Sequence, residues 1–492
     1  MPTVPFPFAL RDAALVRDEL YLDGAWTPAA GAARTPIVDP ATGSVIASVA
    51  SGDAGDARRA VTAAQAAFGP WAQRTAKDRA TVLRRWFDLV VEHADDLAAI
   101  LTAEQGKPLA EARGEILYGA GFIEWYAEEG KRAYGELIPT NVEGRELLAI
   151  KQPIGVCAAI TPWNFPMAMI ARKLAPALAA GCTVVVKPAP ATPLSALALA
   201  ELADRAGIPA GVINVVPGDA EAIGGELTDN PLVRKLTFTG STAVGRLLMR
   251  RSAETIKKLS LELGGNAPLI VFDDADLDRA VQGAIDSKFR NAGQTCVCAN
   301  RILVQDGIHD AFVERFVAAA TALRVGNGFE EGVQQGPLID DRAVAKVRDH
   351  VEDAVAHGGV VACGGLAHGL GGSFFPPTVI TGATTAMRIA DEETFGPVAP
   401  IFRFREEDEA VALANATESG LAAYFFTRDA ARIARVGRAL EHGVVGVNTG
   451  LISYEGAPFG GVKQSGLGRE GSRHGLDDFL ELKYLCIDGL AG

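Results

Sequence analysis

A cysteine and a glutamate are the two residues of this chain best suited to covalent chemistry. Cys296 comes directly after a polar, glycine-containing turn that ends an apolar helical pattern. Glu262 lies 34 positions earlier, at the mouth of a glycine-rich turn formed by residues 261–266. A thiolate can form a thioester with a carbonyl substrate, and a separate carboxylate can activate the water that hydrolyses it. Together the two residues predict a reaction through a covalent cysteine intermediate.

Each of these residues also has an ordinary structural interpretation. Cys296 could be a buried, inert thiol, and Glu262 could be an exposed loop glutamate. The unperturbed pKa of a cysteine is about 8.5, so only a few per cent of the thiol is ionised at neutral pH. If Cys296 is the nucleophile, we therefore expect its surroundings to favour the thiolate.

The elements around these residues have the pattern of an α/β protein. Residues 54–133 have the spacing of helices. Predicted strands over residues 155–161, 182–187, 212–216 and 235–239 then alternate with helical patterns over 165–180, 193–206 and 241–253. This alternation predicts a parallel, doubly wound sheet. A second alternation begins at residues 268–272 and continues to 447, and residues 477–487 are predicted to form a strand that leaves the body.

Composition excludes several classes of function. A chain of 492 residues has room for two or three domains, and its net charge of −13 argues against a nucleic-acid or anionic-membrane surface. The six cysteines show no zinc spacing and the seven histidines are scattered, so we expect no metal site and a reducing, cytoplasmic setting. Residues 1–20 lack the continuous apolar core of a signal peptide, and no apolar run reaches the length of a membrane span.

Two features point to a cofactor with a pyrophosphate. Gly240 and Ser241 follow a predicted strand and open a helix, where backbone amides can approach a pyrophosphate. The spacing is not that of a dinucleotide-binding fingerprint, so a plain turn between strand and helix is at least as good an interpretation. Lys187 ends a predicted strand, where open α/β sheets bind ligands. A solvated lysine at a strand end is an equal alternative.

Taken together, seven segments resemble the aldehyde dehydrogenase superfamily in the same order and over nearly the whole chain. They are residues 161–166, 187–188, 238–241, 262–266, 293–296, 393–397 and 458–461. The resemblance implies an α/β fold with a Rossmann-like cofactor domain, an α/β catalytic domain and a small β oligomerisation arm. The implied domains are 1–130 with 154–263 for the cofactor, 264–462 for catalysis, and 131–153 with 463–492 for the arm. A homodimer or homotetramer is therefore expected.

The resemblance also assigns the cofactor-binding residues, which would hold NADP or NAD. They are Trp163 lining the cleft, Lys187 on the adenine-ribose hydroxyls or a 2′-phosphate, Gly240 and Ser241 on the pyrophosphate, Glu393 on the nicotinamide ribose, and Phe395 beside the nicotinamide. Core packing is an additional interpretation for Trp163 and Phe395. Relatives that prefer NAD often carry a glutamate three residues after the lysine, where this chain has Pro190. Without that carboxylate nothing repels a 2′-phosphate, so NADP is favoured slightly over NAD.

For catalysis, the resemblance implies that Cys296 is the nucleophile and that Glu262 is the base for hydrolysis. The side-chain amide of Asn164 and the Cys296 N–H would stabilise the oxyanion. Branches that pass the acyl group to coenzyme A lack a glutamate at the position of Glu262, so a free acid is the expected product. A non-catalytic member of the family is a further alternative, against which the intact set of three residues argues.

Three residues predict a substrate with a carboxylate. Arg172, Arg290 and Ser453 fall where succinate-semialdehyde dehydrogenases hold the substrate carboxylate, and guanidinium groups bind carboxylates in a bidentate way. For a single helical arginine, a solvated face is otherwise the better interpretation. We expect oxidation of succinate semialdehyde to succinate. The alternatives are glutarate semialdehyde or a broader, non-acylating specificity. Cys298 is either a small residue behind the nucleophile or its partner in a regulatory disulfide.

Overall fold

The computed structural model describes residues 6–489 and contains fifteen α-helices in that range. The helices are α1 (Ala54–Ala72), α2 (Ala76–Glu92), α3 (Ala94–Gln105), α4 (Leu109–Glu129), α5 (Ala168–Ala180), α6 (Leu194–Arg205), α7 (Ala220–Asp229), α8 (Thr242–Ser252), α9 (Leu277–Phe289), α10 (His309–Thr321), α11 (Asp341–Ala356), α12 (Arg388–Asp391), α13 (Glu407–Asn415), α14 (Ala430–Ala439) and α15 (His474–Asp477). None of the helices in this range is long and apolar enough to cross a membrane.

Twenty strands form four sheets in the same part of the chain. The strands are β1 (Leu20–Leu22), β2 (Ala25–Thr27), β3 (Arg34–Val38), β4 (Val45–Ala50), β5 (Glu136–Ile138), β6 (Glu146–Pro153), β7 (Val156–Ile160), β8 (Thr183–Lys187), β9 (Ile213–Val215), β10 (Val233–Thr239), β11 (Lys258–Glu262), β12 (Ala267–Val271), β13 (Ala299–Gln305), β14 (Val360–Cys363), β15 (Thr378–Thr381), β16 (Val398–Phe404), β17 (Ala422–Phe426), β18 (Val444–Val447), β19 (Gly466–Leu467) and β20 (Leu480–Ile487).

The first large sheet has the order β19-β11-β10-β7-β8-β9-β1-β2. Its central strands β11, β10, β7, β8 and β9 are parallel, and the helices α5, α6, α7 and α8 are the crossovers between them. Every residue of β7 and β8 is buried, as expected for parallel strands covered by helices on both faces. The predicted doubly wound sheet is therefore confirmed.

The second large sheet has the order β14-β15-β16-β13-β12-β17-β18. All of its pairings are parallel except the one between β14 and β15 at the edge. Buried apolar residues form separate clusters on its two faces. The α/β fold with two parallel units, expected from the alternation of strands and helices, is confirmed.

A three-stranded antiparallel sheet, β20-β6-β5, projects from the body. It pairs the C-terminal strand with the segment before β7, and its large apolar side chains Leu137, Leu482 and Tyr484 are exposed. Strand β19 pairs with β11 of the first sheet. Within the predicted arm range 463–492, only β20 therefore lies in this small sheet. The ends of the predicted ranges, residues 1–5 and 490–492, lie outside the described residues.

The pattern did not predict the strands β1 to β4 near the N-terminus. Strand β1 extends the first sheet by pairing with β9 and β2, while β3 and β4 form a separate hairpin. The strands of the first pair are only three residues long, too short for a period-two pattern to stand out. Their register is decided by the sheet edge that they cover.

Candidate active site

One cavity of about 770 Å³ lies between the two large sheets, and eleven of the twelve predicted site residues line it. They are Trp163, Asn164, Arg172, Gly240, Ser241, Glu262, Arg290, Cys296, Glu393, Phe395 and Ser453. The first sheet presents the carboxyl ends of its parallel strands, where open α/β sheets bind ligands. Lys187 ends β8 at the same edge but is not part of this lining.

The loop that carries Cys296 has an unusual backbone. After α9 ends, Asn291, Ala292 and Gly293 have positive φ values of 52°, 55° and 72°. A side chain on Gly293 would meet the carbonyl oxygen of Gly396 at 2.2 Å, so only glycine fits there. Non-glycine residues hold such conformations only where their surroundings fix them. This turn brings the half-buried thiol of Cys296 to the cavity, directly before β13.

The protein by itself does not favour the Cys296 thiolate. Burial, together with the carboxyl groups of Glu393 and Glu262, raises the pKa of this thiol to about 12, against a lowering by Arg172. The expectation of a favoured anion is therefore wrong for the protein groups alone, because the fold buries the sulfur and brings two carboxyl groups beside it. The sequence pattern could not reveal either effect.

Asn164 lies in the turn between β7 and α5 and is buried. Its side-chain Nδ2 donates to the carbonyl oxygen of Gln294 at 2.9 Å, two residues before the nucleophile. The amide therefore faces the Cys296 loop, which suits the predicted role of oxyanion donor. Since an amide nitrogen has two hydrogens, one remains for an oxyanion.

Glu262 is the last residue of β11 and is only 4% exposed, so the alternative of an exposed loop glutamate is wrong. Neither of its carboxyl oxygens has a hydrogen-bond partner among the described residues. Burial raises the pKa of Glu262 well above its ordinary value, and the nearby Glu470 raises it further. The strand approaches the nucleophile loop closely because Gly265 has no side chain: a Cβ there would lie 2.4 Å from the Cys296 carbonyl oxygen.

Behind Glu262 lies a buried charge cluster that sequence reasoning missed. Arg172 Nη2 lies 2.9 Å from Glu470 Oε2, and Lys173 contacts the other oxygen of the same carboxylate. Lys173 Nζ also donates to Thr239 Oγ1 at 2.7 Å. Burial alone would raise the pKa of Glu470, but Lys173 and Arg172 lower it. Of the two buried carboxyl groups, Glu470 is therefore the one that ionises at the lower pH.

The predicted carboxylate-binding residues meet at one end of the cavity. The guanidinium of Arg172 lies 4.2 Å from the centre of the Phe459 ring, and that of Arg290 lies 5.6 Å from the centre of the Phe165 ring. Arg172, Arg290 and Ser453 all line this end. Tyr118 lines it as well, and its buried hydroxyl interacts with the Ser453 side chain near both arginines. Nothing in the sequence distinguished this tyrosine from core residues of α4.

The opposite end of the cavity has the features that a dinucleotide needs. Ser241 caps α8 and accepts from Val244 N–H at 3.4 Å. A helix N-terminus with further N–H groups in its first turn is suited to a pyrophosphate. Glu393 accepts from Gly265 N–H at 3.1 Å, and burial raises its pKa to about 7. The rings of Trp163 and Phe395 meet edge to face, with centroids 5.6 Å apart. Both aromatic residues are partly exposed to the cavity, so core packing alone does not explain them.

Lys187 lies below the surface of the cofactor edge. Its Nζ donates to the carbonyl oxygen of Pro188 at 2.8 Å. Burial lowers the pKa of this ammonium group to about 8, and the nearby Asp219 raises it in part. The ammonium group of Lys187 is therefore poorly hydrated. An anionic ligand beside it would stabilise its charged form.

The amino-acid sequence matches the model of the aldehyde dehydrogenase family over residues 26–485. The chain belongs to the aldehyde dehydrogenase family. The predicted fold and the family membership are thereby confirmed.

Several known members of the aldehyde dehydrogenase family are similar to this chain over nearly its whole length. It is 60% identical to a glutarate-semialdehyde dehydrogenase of Pseudomonas aeruginosa, over 98% of this chain and 100% of the relative. It is also 60% identical to the NADP-dependent succinate-semialdehyde dehydrogenase GabD of Escherichia coli, over 97% and 99% of the two chains. The crystal structure of a succinate-semialdehyde dehydrogenase from Burkholderia pseudomallei superimposes with a TM-score of 0.97 at 60% identity, covering 98% of this chain and 100% of that one.

Proposed function

We propose that this chain is a semialdehyde dehydrogenase that oxidises succinate semialdehyde to succinate with NADP or NAD. The observation that supports this most is the content of a single cavity. Cys296 and Glu262 line it together with Arg172 and Arg290, and the two arginines both lie near Tyr118 and Ser453. A substrate with an aldehyde at one end and a carboxylate at the other matches this arrangement.

In the first half of the proposed reaction, the Cys296 sulfur adds to the aldehyde carbon, and the thiol proton passes to water. The oxygen of the adduct becomes negative, and the Asn164 amide and the Cys296 N–H donate to it. The oxidised nicotinamide, when bound, supplies a positive charge and the acceptor for the hydride. Loss of the hydride from the adduct carbon leaves a thioester on Cys296. Glu393, Trp163 and Phe395 would hold the acceptor ring beside that carbon.

In the second half, water hydrolyses the thioester. The ionised Glu262 removes a proton from the water, the resulting hydroxide adds to the thioester carbon, and the carbon–sulfur bond breaks. The departing sulfur takes up the proton held by Glu262, so the products are the free acid and the restored thiol. Since Glu262 has no hydrogen-bond partner among the described residues, its oxygens are free to accept from this water.

Replacement of Arg290 by alanine tests the substrate. We expect the KM for succinate semialdehyde to rise by roughly ten- to a hundredfold, since a hydrogen bond to a charged group is worth about 1.5–3 kcal/mol. The KM for butanal, a neutral aldehyde of the same length, should change little. The measurement is the rate of cofactor reduction as a function of each aldehyde.

Arg84 provides a control for this variant. It also stacks on a phenylalanine, with its guanidinium 4.7 Å from the Phe87 ring, but it lies exposed on α2. Arg84→Ala should leave both KM values unchanged. Equal increases for the charged and the neutral aldehyde in Arg290→Ala would remove the assignment of this residue to the carboxylate.

Glutarate semialdehyde is a second candidate substrate, because the relative from Pseudomonas aeruginosa that bears its name is 60% identical to this chain. One methylene group is worth only about 1–3 kcal/mol in a pocket. Comparison of kcat/KM for the four- and five-carbon semialdehydes decides between the two substrates. If kcat/KM for hexanal or benzaldehyde equals the values for both semialdehydes, the specificity is broader.

For the cofactor we propose a preference for NADP. Lys187 is available to pair with a 2′-phosphate, and Pro190 puts no carboxylate at the position that favours NAD. Lys187→Met should lower kcat/KM for NADP by roughly ten- to a hundredfold and affect NAD much less, because a buried charge pair is lost only with NADP. The ratio of the two cofactors, measured in wild type and variant, checks this. An unchanged ratio would contradict it.

Assembly and location remain predictions. A homodimer or homotetramer is supported by the exposed apolar side chains of the three-stranded sheet and by its free edges, which sheets rarely leave uncovered. A cytoplasmic setting is supported by the six free cysteines. Cys296 and Cys298 are both free thiols, so their regulatory disulfide also remains a prediction.

A further inference from the structure

A buried lysine and a left-handed asparagine hold the main chain of Asn164. Lys107, in the turn between α3 and α4, donates from Nζ to the Asn164 carbonyl oxygen at 2.8 Å. Asn291, in the loop before Cys296, donates from Nδ2 to the same oxygen at 3.0 Å. The Asn164 side chain in turn donates to the Gln294 carbonyl oxygen at 2.9 Å. Asn164 is therefore bonded at its main chain and at its side chain.

This matters because the two oxyanion donors come from different sheets. Asn164 follows β7 of the first sheet, and Cys296 precedes β13 of the second. The distance between the Asn164 amide and the Cys296 N–H therefore depends on contacts between the two units. A displacement of about 1 Å at a reacting centre can cost about a hundredfold in rate. Contacts that fix this distance are then as important as the donors.

The ammonium group of Lys107 has three buried contacts. Besides the Asn164 carbonyl, Nζ contacts Glu115 Oε2 at 2.6 Å and lies 3.8 Å from the centre of the Phe165 ring. Glu115 also accepts from two main-chain N–H groups at the start of α5, at 3.0 and 3.2 Å. The side chains of Lys107 and Glu115 are each 1% exposed.

Stability alone does not explain such a pair. Removing two charges from water costs free energy that their attraction often fails to offset, and apolar replacements of buried ion pairs are frequently neutral or stabilising. Burial accordingly lowers the pKa of Lys107, against the effect of Glu115. An ammonium group with three contacts does hold each of its partners in a fixed position. The Asn164 carbonyl is one of these partners.

Asn291 makes the corresponding connection from the nucleophile loop. Its φ of 52° lies in the left-handed region, which asparagine tolerates better than most residues. Its N–H donates to Glu111 at 3.0 Å, and its Oδ1 accepts from Gln105 Nε2 at 3.0 Å. The residue that donates to Asn164 is thus itself held by two further hydrogen bonds.

We propose that Lys107 and Asn291 are positioning residues of the oxyanion site, which set the distance between the Asn164 amide and the Cys296 N–H. They act through Asn164: Asn291 does not line the cavity, and the Nζ of Lys107 contacts Glu115 and the Asn164 carbonyl oxygen. This inference rests on the proposed dehydrogenase function, and it predicts that the step most affected is hydride transfer.

The test uses Lys107→Met and Asn291→Gly in the full-length enzyme. Methionine keeps the length of the side chain without its donors, and glycine keeps the left-handed backbone without the amide. Each variant should slow the pre-steady-state formation of reduced cofactor by roughly ten- to a hundredfold, with the KM for the semialdehyde changed by less than about threefold. Because either variant suffices, failure of one to fold leaves the test intact.

A double-mutant cycle with Asn164→Ala separates positioning from other roles. Alanine removes the amide but keeps the carbonyl that Lys107 and Asn291 contact. If the two residues act through the amide, neither variant slows hydride transfer further in the Asn164→Ala background. Additive slowing in that background would overturn the proposal, and so would wild-type hydride transfer in both single variants.

Lys257 provides a matched control. It is also a buried lysine that donates to two main-chain carbonyls, those of Asn230 and Val233, at 2.6 and 2.8 Å, but it does not line the cavity. Lys257→Met should lower thermal stability and leave the rate of hydride transfer unchanged. The wild-type enzyme distinguishes the proposed function from this inference. If the wild type does not oxidise the semialdehyde, the proposed function is contradicted. If the wild type is active and the variants are equally active, only this inference is contradicted.

Discussion

Replacement of Cys296 by serine should reduce the oxidation of succinate semialdehyde by about four orders of magnitude or more, as is usual when a covalent nucleophile is lost. A serine hydroxyl is far less acidic than a thiol, and the carboxyl groups of Glu393 and Glu262 already oppose an anion at this position. The measurement is the steady-state rate of NADPH formation at saturating aldehyde and cofactor.

Cys298→Ser is the control for this variant. Its thiol is buried only two residues away, where it donates to the Gly293 carbonyl oxygen at 3.2 Å, and it does not line the cavity. Cys298→Ser should retain most of the activity. Mass spectrometry of the wild-type enzyme quenched during turnover should find the added mass of the acyl group on the peptide that contains Cys296. Turnover in Cys296→Ser at the wild-type rate would contradict the mechanism.

Replacement of Glu262 by glutamine should separate the two halves of the reaction. Hydride transfer should still occur once, so a burst of about one reduced cofactor per site is expected. Steady-state turnover should then fall by roughly 10²–10⁴-fold, the usual contribution of a general base. Rapid mixing followed by steady-state measurement reports both phases. If the burst is lost together with turnover, Glu262 is needed before the thioester forms, contrary to this prediction.

The pH dependence of hydrolysis follows from the same residue. Burial raises the pKa of Glu262, so its carboxyl group stays protonated to a higher pH than an exposed glutamate would. Only the ionised form can accept a proton from water, so thioester hydrolysis should become faster as the pH rises through that pKa. In Glu262→Gln this increase should disappear.

Glu104→Gln is a matched control for both experiments on Glu262. Glu104 is also fully buried, and burial raises its pKa to about 8, but it accepts from the N–H groups that begin α6 and does not line the cavity. The glutamine variant should keep both the burst and the pH dependence of hydrolysis. If Glu104→Gln lost the burst and the pH dependence to the same extent, the effects of Glu262→Gln would come from general destabilisation of the protein.

Much of the candidate site could be predicted from short runs of residues. The positions of Gly240 and Ser241 at a helix start, and of Lys187 at a strand end, follow from local alternation of strand and helix. Local patterns suffice there because the carboxyl ends of neighbouring parallel strands always meet at one edge of the sheet. The resemblance to the family added Asn164 and the arginines. Local pattern alone would leave a helical arginine on a solvated face.

Contacts between distant residues could not be predicted. Glu470 lies 298 positions from Arg172 in sequence, yet the two form a buried ion pair. Lys107 and Asn291 meet at Asn164 from two different units of the fold. The short strands β1 to β4 and the hydroxyl of Tyr118 in the cavity likewise carried no local signal.

The sequence by itself determined the α/β architecture and the family, and it predicted a nucleophile and a base, because each depends on residue types within one turn, strand or motif. Only the tertiary structure decided their ionisation. The thiol of Cys296 and the carboxyl of Glu262 have raised pKa values because the two sheets bury them together and bring further carboxyl groups beside them. Burial and charge at a site depend on which surfaces meet, and that is a property of the whole fold.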